Sequence, residues 1–253
     1  MRFGGYRDST EPRPIVELRR GATNGPVVLF FPHSGCAAAA MDPVAAAFPA
    51  AVRVLSIEYP GRGTRIAEPF APDLFALATE IAASVEDDAR LPLTVFGHSF
   101  GALVAFEVVR ALNRMGLSVK RLYASSCPNP HVMASLERTV HQISDEQLVD
   151  LLVFHGGMSE ELLEDVEMLD FVLPVIRNDT RLSELHRPEP GAMIGAPITA
   201  VGGQDDSTVS YEDLAGWGAV TTAEAGVVLL PGAHFHVLEH PHNIANLIWE
   251  RLA

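Results

Sequence analysis

The sequence predicts an α/β fold: a mostly parallel central sheet flanked by helices, with a helical lid inserted late in the chain. Three features lead there. Short apolar runs of strand length recur at 26–31, 52–57, 93–96, 121–124, 197–201 and 227–230. Most are separated by segments with helical spacing or capping signals, the rhythm of right-handed strand–helix–strand crossovers. Between about 128 and 190 that rhythm stops, and two acidic amphipathic segments replace it.

Taken in chain order, the first twenty residues are polar, Arg-rich and without an apolar signal core. No apolar run anywhere reaches the roughly 18 residues a membrane span requires. A soluble, cytoplasmic protein with no membrane partner is expected. After the second run, residues 73–82 place apolar side chains at helical spacing, and 101–112 do the same after the third. Both should be crossover helices packed on the sheet. In the insertion, Ser144 opens a Ser-x-x-Gln capping box ahead of Leu148, Leu151 and Leu152. Ser159 precedes Glu160 and Glu161, whose charges suit a helix N-terminus. The expectation is one domain over 1–253 with a lid at 128–190; additional core helices are the alternative reading of that insertion.

A formal net charge of −14 repels phosphate backbones, so nucleic acid is not an expected partner. Cys36 and Cys127, the two cysteines, fit no metal spacing and are too few for a disulfide framework, which suits a reducing compartment.

The chemistry centres on Gly97-His98-Ser99-Phe100-Gly101. An apolar run, 93–96, ends directly at Gly97, and an apolar helical segment begins after Gly101, which is the strand–turn–helix context of a nucleophile elbow. A turn this sharp strains Ser99, and only glycine-sized residues at 97 and 101 let strand and helix approach closely. Such an elbow defines the α/β-hydrolase fold. The following helix aims backbone N–H groups, that of Phe100 among them, at an oxyanion formed on attack by Ser99.

A serine hydroxyl needs a histidine to take its proton and a carboxylate to orient that histidine. In this fold the chain order is serine, acid, histidine. The fifth apolar run leads into Gly202-Gly203-Gln204-Asp205-Asp206, and the sixth into Pro231-Gly232-Ala233-His234. Spacing leaves Asp205 and Asp206 both open, and an Asx turn is the structural alternative for either. His234, His236, His240 and His242 invite a metal reading, but only His236 and His240 stand at i, i+4 and Pro241 interrupts the helix that would carry the set, so no metal is expected. The Ser34 backbone N–H, in Phe31-Pro32-His33-Ser34-Gly35-Cys36, is the candidate second oxyanion donor. His33 precedes Ser99 in the chain and is read as a loop brace. Cys36 lacks a local cue for a lowered pKa and is not read as a nucleophile.

With these residues in view, the chain resembles the stand-alone type II thioesterases associated with polyketide synthases and nonribosomal peptide synthetases, from about residue 26 to the C-terminus. The likeness rests on Phe31-Pro32-His33-Ser34-Gly35, on Tyr59-Pro60-Gly61-Arg62-Gly63 with Arg65 and Glu68-Pro69, and on the Ser99 motif. Leu173-Pro174-Val175-Ile176-Arg177-Asn178-Asp179, Gly202-Gly203 and Gly232-Ala233-His234-Phe235 extend it. Ser34, Cys36 and Ser207 depart from the residues common in the family. The resemblance implies Asp206 as the acid. It implies hydrolysis of acyl or aminoacyl groups from the phosphopantetheine of an acyl or peptidyl carrier protein, an editing role in antibiotic biosynthesis with no cofactor beyond the arm the partner carries. It also implies that the 128–190 lid gates a chamber beside Ser99. A carboxylesterase or lipase on free esters would use the same residues, and a chain-terminating thioesterase would follow a carrier domain, which is not expected ahead of residue 26. A non-catalytic carrier-binding module is the reading from another class.

Overall fold

The computed structural model describes residues 13–252 apart from 158–162 and 164. Its strands are β1 (Ile15–Arg19), β2 (Val27–Phe31), β3 (Arg53–Ile57), β4 (Leu93–His98), β5 (Arg121–Ser125), β6 (Ile198–Gly203) and β7 (Ala225–Leu230). They form one sheet in the order β1-β3-β2-β4-β5-β6-β7. Only the β1–β3 pairing is antiparallel; every other neighbouring pair is parallel. The six expected strands are present. β1 is an addition, lying within residues that sequence reading set aside as polar. It is a short edge strand with no fully buried residue, so it carries little of the apolar signal that betrays a central strand.

Alternating side chains feed two apolar layers, one on each face of the sheet. Leu29, Phe31 and Val95 join the layer containing α2 (Leu74–Ser84) and α3 (Phe100–Arg114). Val28, Phe30 and Phe96 join the other, which is closed by α1 (Asp42–Ala47) and by the last helix of the chain. Asp73 caps α2 by accepting from the Ala76 N–H at 2.8 Å, which satisfies one of the unpaired donors of the first turn. β2, β4 and β6 are buried throughout between these layers, as continuous apolar runs demand, whereas the edge strands β1 and β7 have no fully buried residue.

The insertion is helical, as expected: α4 (Pro130–Ser135), a turn at Val140–Gln142, α5 (Asp145–Phe154) and α6 (Val166–Leu185). The Ser144 capping box forms in both directions, with Gln147 N donating to Ser144 Oγ at 3.2 Å and Ser144 N donating to Gln147 Oε1 at 3.1 Å. The expected helix start at Ser159 lies outside the described residues. Leu148, Leu173 and Ile176 make a small apolar cluster of their own, separate from the two layers on the sheet. The chain then returns through α7 (Tyr211–Ala215), α8 (His236–Glu239) and α9 (Pro241–Trp249).

Because β2, β4, β5, β6 and β7 run parallel, their C-terminal ends lie along one edge of the sheet. The loops that follow them carry Ser34, Ser99, Ser126, Asp206 and His234 respectively. Topology alone therefore gathers residues far apart in sequence at one rim.

Candidate active site

Ser99 sits where β4 hands over to α3, with φ 53° and ψ −120°, a region that side-chain-bearing residues rarely occupy. Its N–H donates to Ser125 O at 2.8 Å, tying the turn to the neighbouring strand. The flanking glycines are required by contact: a Cβ on Gly97 would lie 2.3 Å from Gly101 O, and one on Gly101 would lie 2.0 Å from Phe31 O. Backbone on both sides leaves neither room to give.

Asp206, and not Asp205, meets His234. Its Oδ2 accepts from His234 Nδ1 at 3.0 Å, whereas Asp205 is exposed. Thr208, a residue that sequence reading missed, completes this arrangement. Its hydroxyl donates to Asp206 Oδ1 at 2.6 Å and stands 2.8 Å from His234 Nδ1, while its N–H donates to the same Oδ1 at 2.8 Å. That last bond is an Asx turn. The structural alternative for Asp206 and its contact with the imidazole thus coexist in one carboxylate. Burial alone would raise the Asp206 pKa, but hydrogen bonds from His234 and Thr208 outweigh it and hold the carboxyl well below the usual range. A negative Asp206 in turn requires Nδ1 of His234 to carry the proton. Nε2 is left as the free acceptor, and it bonds to no described protein group.

Ser99 and His234 line one cavity of about 250 Å³ with His33, Ser34 and Phe100, under α5 and α6 of the insertion. Most of its wall is apolar, from Leu103, Met133, Leu151, Ile176 and Val209 among others. Ser99 and His234 share the cavity without a side-chain hydrogen bond between them. The backbone N–H groups of Ser34 and Phe100 donate to no described protein group. By contrast the Gly35 N–H is taken, donating to Asp179 Oδ2 at 2.9 Å. Ser126, also on the cavity wall, is a further departure from ordinary backbone at φ 47°, and its buried hydroxyl has no partner.

Behind the cavity lies a group of imidazoles. The His98 ring is packed 5.7 Å from His33, 5.3 Å from His234 and 5.7 Å from His236 between ring centres. Ser125 Oγ bridges His98 Nδ1 at 3.0 Å and His236 Nε2 at 3.1 Å. Burial, then the neighbouring His234, pushes His33 down to about 4. His236 is likewise brought to about 4, chiefly by burial, and burial drives His98 well below the ordinary imidazole value. These three rings are therefore neutral at neutral pH and act as packing. His33 Nε2 also lies 2.9 Å from Cys36 Sγ, consistent with the loop brace expected of it. Burial pushes the Cys36 thiol up to about 11, which leaves it a poor nucleophile. Among the described residues no group of His, Cys, Asp and Glu is arranged to hold a metal. No described helix is long and apolar enough to cross a membrane.

A parallel sheet with a serine elbow at the end of its central strand is the α/β-hydrolase class of fold. Residues 26–252 match the family model described as the thioesterase domain, and the chain belongs to that family. It is 33% identical over 237 residues to phenyloxazoline synthase MbtB of Mycobacterium tuberculosis, covering 93% of this chain and 17% of the synthase. This chain therefore spans less than a fifth of that relative. To the thioesterase PikA5 of Streptomyces venezuelae it is 32% identical over 225 residues, 87% of this chain and 79% of the relative. Among solved structures it is similar to the type II thioesterase BorB from the borrelidin biosynthetic cluster, with a TM-score of 0.87, 34% identity, and 97% and 100% of the two chains covered. The type II thioesterase YbtT of the yersiniabactin pathway matches with a TM-score of 0.82, 26% identity and coverage of 94% and 98%.

Proposed function

We propose that this protein hydrolyses acyl or aminoacyl thioesters from the phosphopantetheine arm of acyl or peptidyl carrier proteins, clearing stalled or aberrant units, with Ser99, His234 and Asp206 as the catalytic residues. The observation that carries this reading is the shared cavity: a strained serine, a histidine whose free nitrogen is set by Asp206 and Thr208, and two uncommitted N–H groups. Family membership and the likeness to type II thioesterases supply the thioester.

In the first half-reaction Ser99 Oγ attacks the thioester carbonyl while His234 Nε2 takes its proton. Ser34 and Phe100 donate their N–H groups to the oxyanion, and losing one such donor costs about 3 kcal/mol of barrier. The carbon–sulfur bond breaks, the pantetheine thiolate takes the proton from His234, and the acyl group remains as an ester of Ser99. In the second half, water attacks that ester as His234 again takes a proton. The carbon–oxygen bond to Ser99 breaks, Oγ recovers its proton, and a free acid leaves. Asp206 stabilises the imidazolium in both halves. The described helices α5 and α6 of the 128–190 insertion act as a lid over this chamber, and the reaction uses side chains, backbone and water alone.

The test is to compare acetyl-, propionyl- and longer acyl-carrier proteins with matched N-acetylcysteamine thioesters and oxygen esters, for the wild type and Ser99→Ala. Faster turnover of carrier-bound thioesters, lost in Ser99→Ala, is expected. Indifference to the carrier with preference for oxygen esters would point to a carboxylesterase. No turnover by the wild type would leave a carrier-binding module.

A further inference from the structure

One ion pair ties the insertion to the loop beneath the oxyanion site. Arg62, from the loop after β3, and Asp179, from the middle of α6, are both buried and 117 residues apart in the chain. They meet through two parallel bonds, Nη1 to Oδ2 at 2.5 Å and Nη2 to Oδ1 at 2.7 Å, the two-pronged geometry that arginine alone supplies. Asp179 Oδ2 also accepts the Gly35 N–H at 2.9 Å. One carboxylate therefore holds a neighbouring strand–loop connection and the residue next to Ser34.

Other contacts reinforce the same loop. The Arg62 guanidinium lies over the Tyr59 ring, 5.1 Å from its centre, and the Tyr59 hydroxyl donates to Pro32 O at 3.1 Å. Ile176, one turn before Asp179 on α6, packs so closely on Gly35 that a Cβ there would lie 2.5 Å from its Cγ1. Gly35 has φ 82°, so the chain direction leaving Ser34 depends on a backbone conformation that this packing holds in place. A buried carboxylate at this position makes sense as a registration device, since a buried ion pair is by itself weak support for stability.

We infer that Asp179 is a positioning residue which, through Arg62 and the Gly35 N–H, sets the Ser34 N–H in its donor geometry, so that the oxyanion site is complete only when α6 of the insertion is seated. This rests on the catalytic reading of Ser99 and Ser34 above. The consequence is that the element covering the chamber also holds part of the catalytic machinery. Displacing α6 to admit a substrate would relax the loop, and reseating it would restore the donor.

The experiment measures kcat and KM of Asp179→Asn on an acyl-N-acetylcysteamine thioester, with kcat expressed per Ser99 titrated by a fluorophosphonate so that unfolded protein does not count. Asparagine keeps the shape and can still accept from Gly35, but loses the charge that anchors Arg62. The expected result is a fall in kcat of about 10- to 100-fold with KM held within about twofold, the signature of a lost transition-state interaction. Should Asp179→Asn fail to fold, Arg62→Lys, which keeps the charge but not the two-pronged bond, is judged by the same split. Unchanged kcat, or a rise in KM alone, overturns the inference. Ser99→Ala separates the catalytic role from the positioning role: turnover undiminished there would bring down the catalytic reading and this inference with it. A dead Ser99→Ala beside an unimpaired Asp179→Asn would remove only the positioning role.

Discussion

At the scale of single residues, the arrangement around His234 makes graded predictions. Asp206→Asn keeps the size of the side chain but no longer favours the proton on Nδ1, and kcat should fall on the order of 10³- to 10⁴-fold. Thr208→Val removes only the hydroxyl that bonds Asp206 and faces the imidazole. Its loss should cost about 1–2 kcal/mol of barrier, a roughly 5- to 30-fold drop in kcat. Steady-state kinetics with one thioester checks both, and equal effects would deny the graded roles. The serine and histidine were legible in the sequence because a strand, a tight turn and a helix surround the first, and a strand precedes the second. Asp206 was separable from Asp205 only through family likeness, since adjacent loop residues give no spacing signal. Thr208 was not legible as a partner: its two contacts are made by folding, and Asp-x-Thr alone reads as an Asx turn. The Arg62–Asp179 pair was visible as motif residues, yet nothing in one string reports that they touch.

The buried imidazoles also give stability a pH dependence with a definite sign. His33 and His236 ionise at about 4 when folded against 6.5 ordinarily, so between those values the unfolded chain binds more protons. Stability is full above about 6.5 and is lost as pH falls toward 4. The depressed Asp206 carboxyl acts lower down: its contribution is present above the ordinary carboxylate range and disappears as pH falls through its folded value. Urea midpoints measured from pH 7 to pH 4.5 should decline, and His236→Gln should flatten part of that decline. A midpoint that holds level to pH 4.5 would contradict the neutral, buried state assigned to these rings.

At the scale of elements, the elbow depends on close approach more than on any hydrogen bond. Gly101→Ala should destabilise the protein by about 3 kcal/mol or more, because its Cβ would strike the carbonyl of Phe31 and nothing nearby is flexible. Gly116→Ala is the comparison: its φ is 76° but no atom lies within 4 Å of the added carbon, so only the strain of about 1–2 kcal/mol applies. Equilibrium unfolding of the two variants should separate them clearly. The strands were readable because fully buried runs such as β2 are apolar at every position. β1 was not, because Glu17 and Arg19 break its five residues before an apolar run forms, whereas β7, the other edge strand, keeps the run Val227 to Leu230. The ends of strands were also short in the reading: β4 continues through Gly97 and His98, where the motif's own residues mask the apolar pattern.

For the whole molecule, charge sets how a partner can approach. This chain carries a formal net charge of −14, so an acidic carrier protein, the partner proposed above, would meet like charge. Like charge would slow encounter at low salt, and screening relieves it over a Debye length of about 10 Å at 0.1 M. KM for an acyl-carrier protein should therefore hold steady or fall as salt rises from 50 to 300 mM. A KM that climbs steeply over that range would instead mean that complementary charges dominate docking. The sequence conveyed this net charge in full and the inserted helices in outline. It could not convey that the insertion reaches back through Asp179 to the loop of Ser34, which depends on where a parallel sheet delivers its loops.

The most direct test of the proposed chemistry is to mix the wild-type protein with a propionyl-carrier protein, quench in acid during turnover, and map the acylated peptide by mass spectrometry. A propionyl ester is expected on the peptide containing Ser99, absent in Ser99→Ala, which also fails to release propionate. Continued propionate release by Ser99→Ala, or wild-type turnover with the acyl group found on another residue, would contradict it.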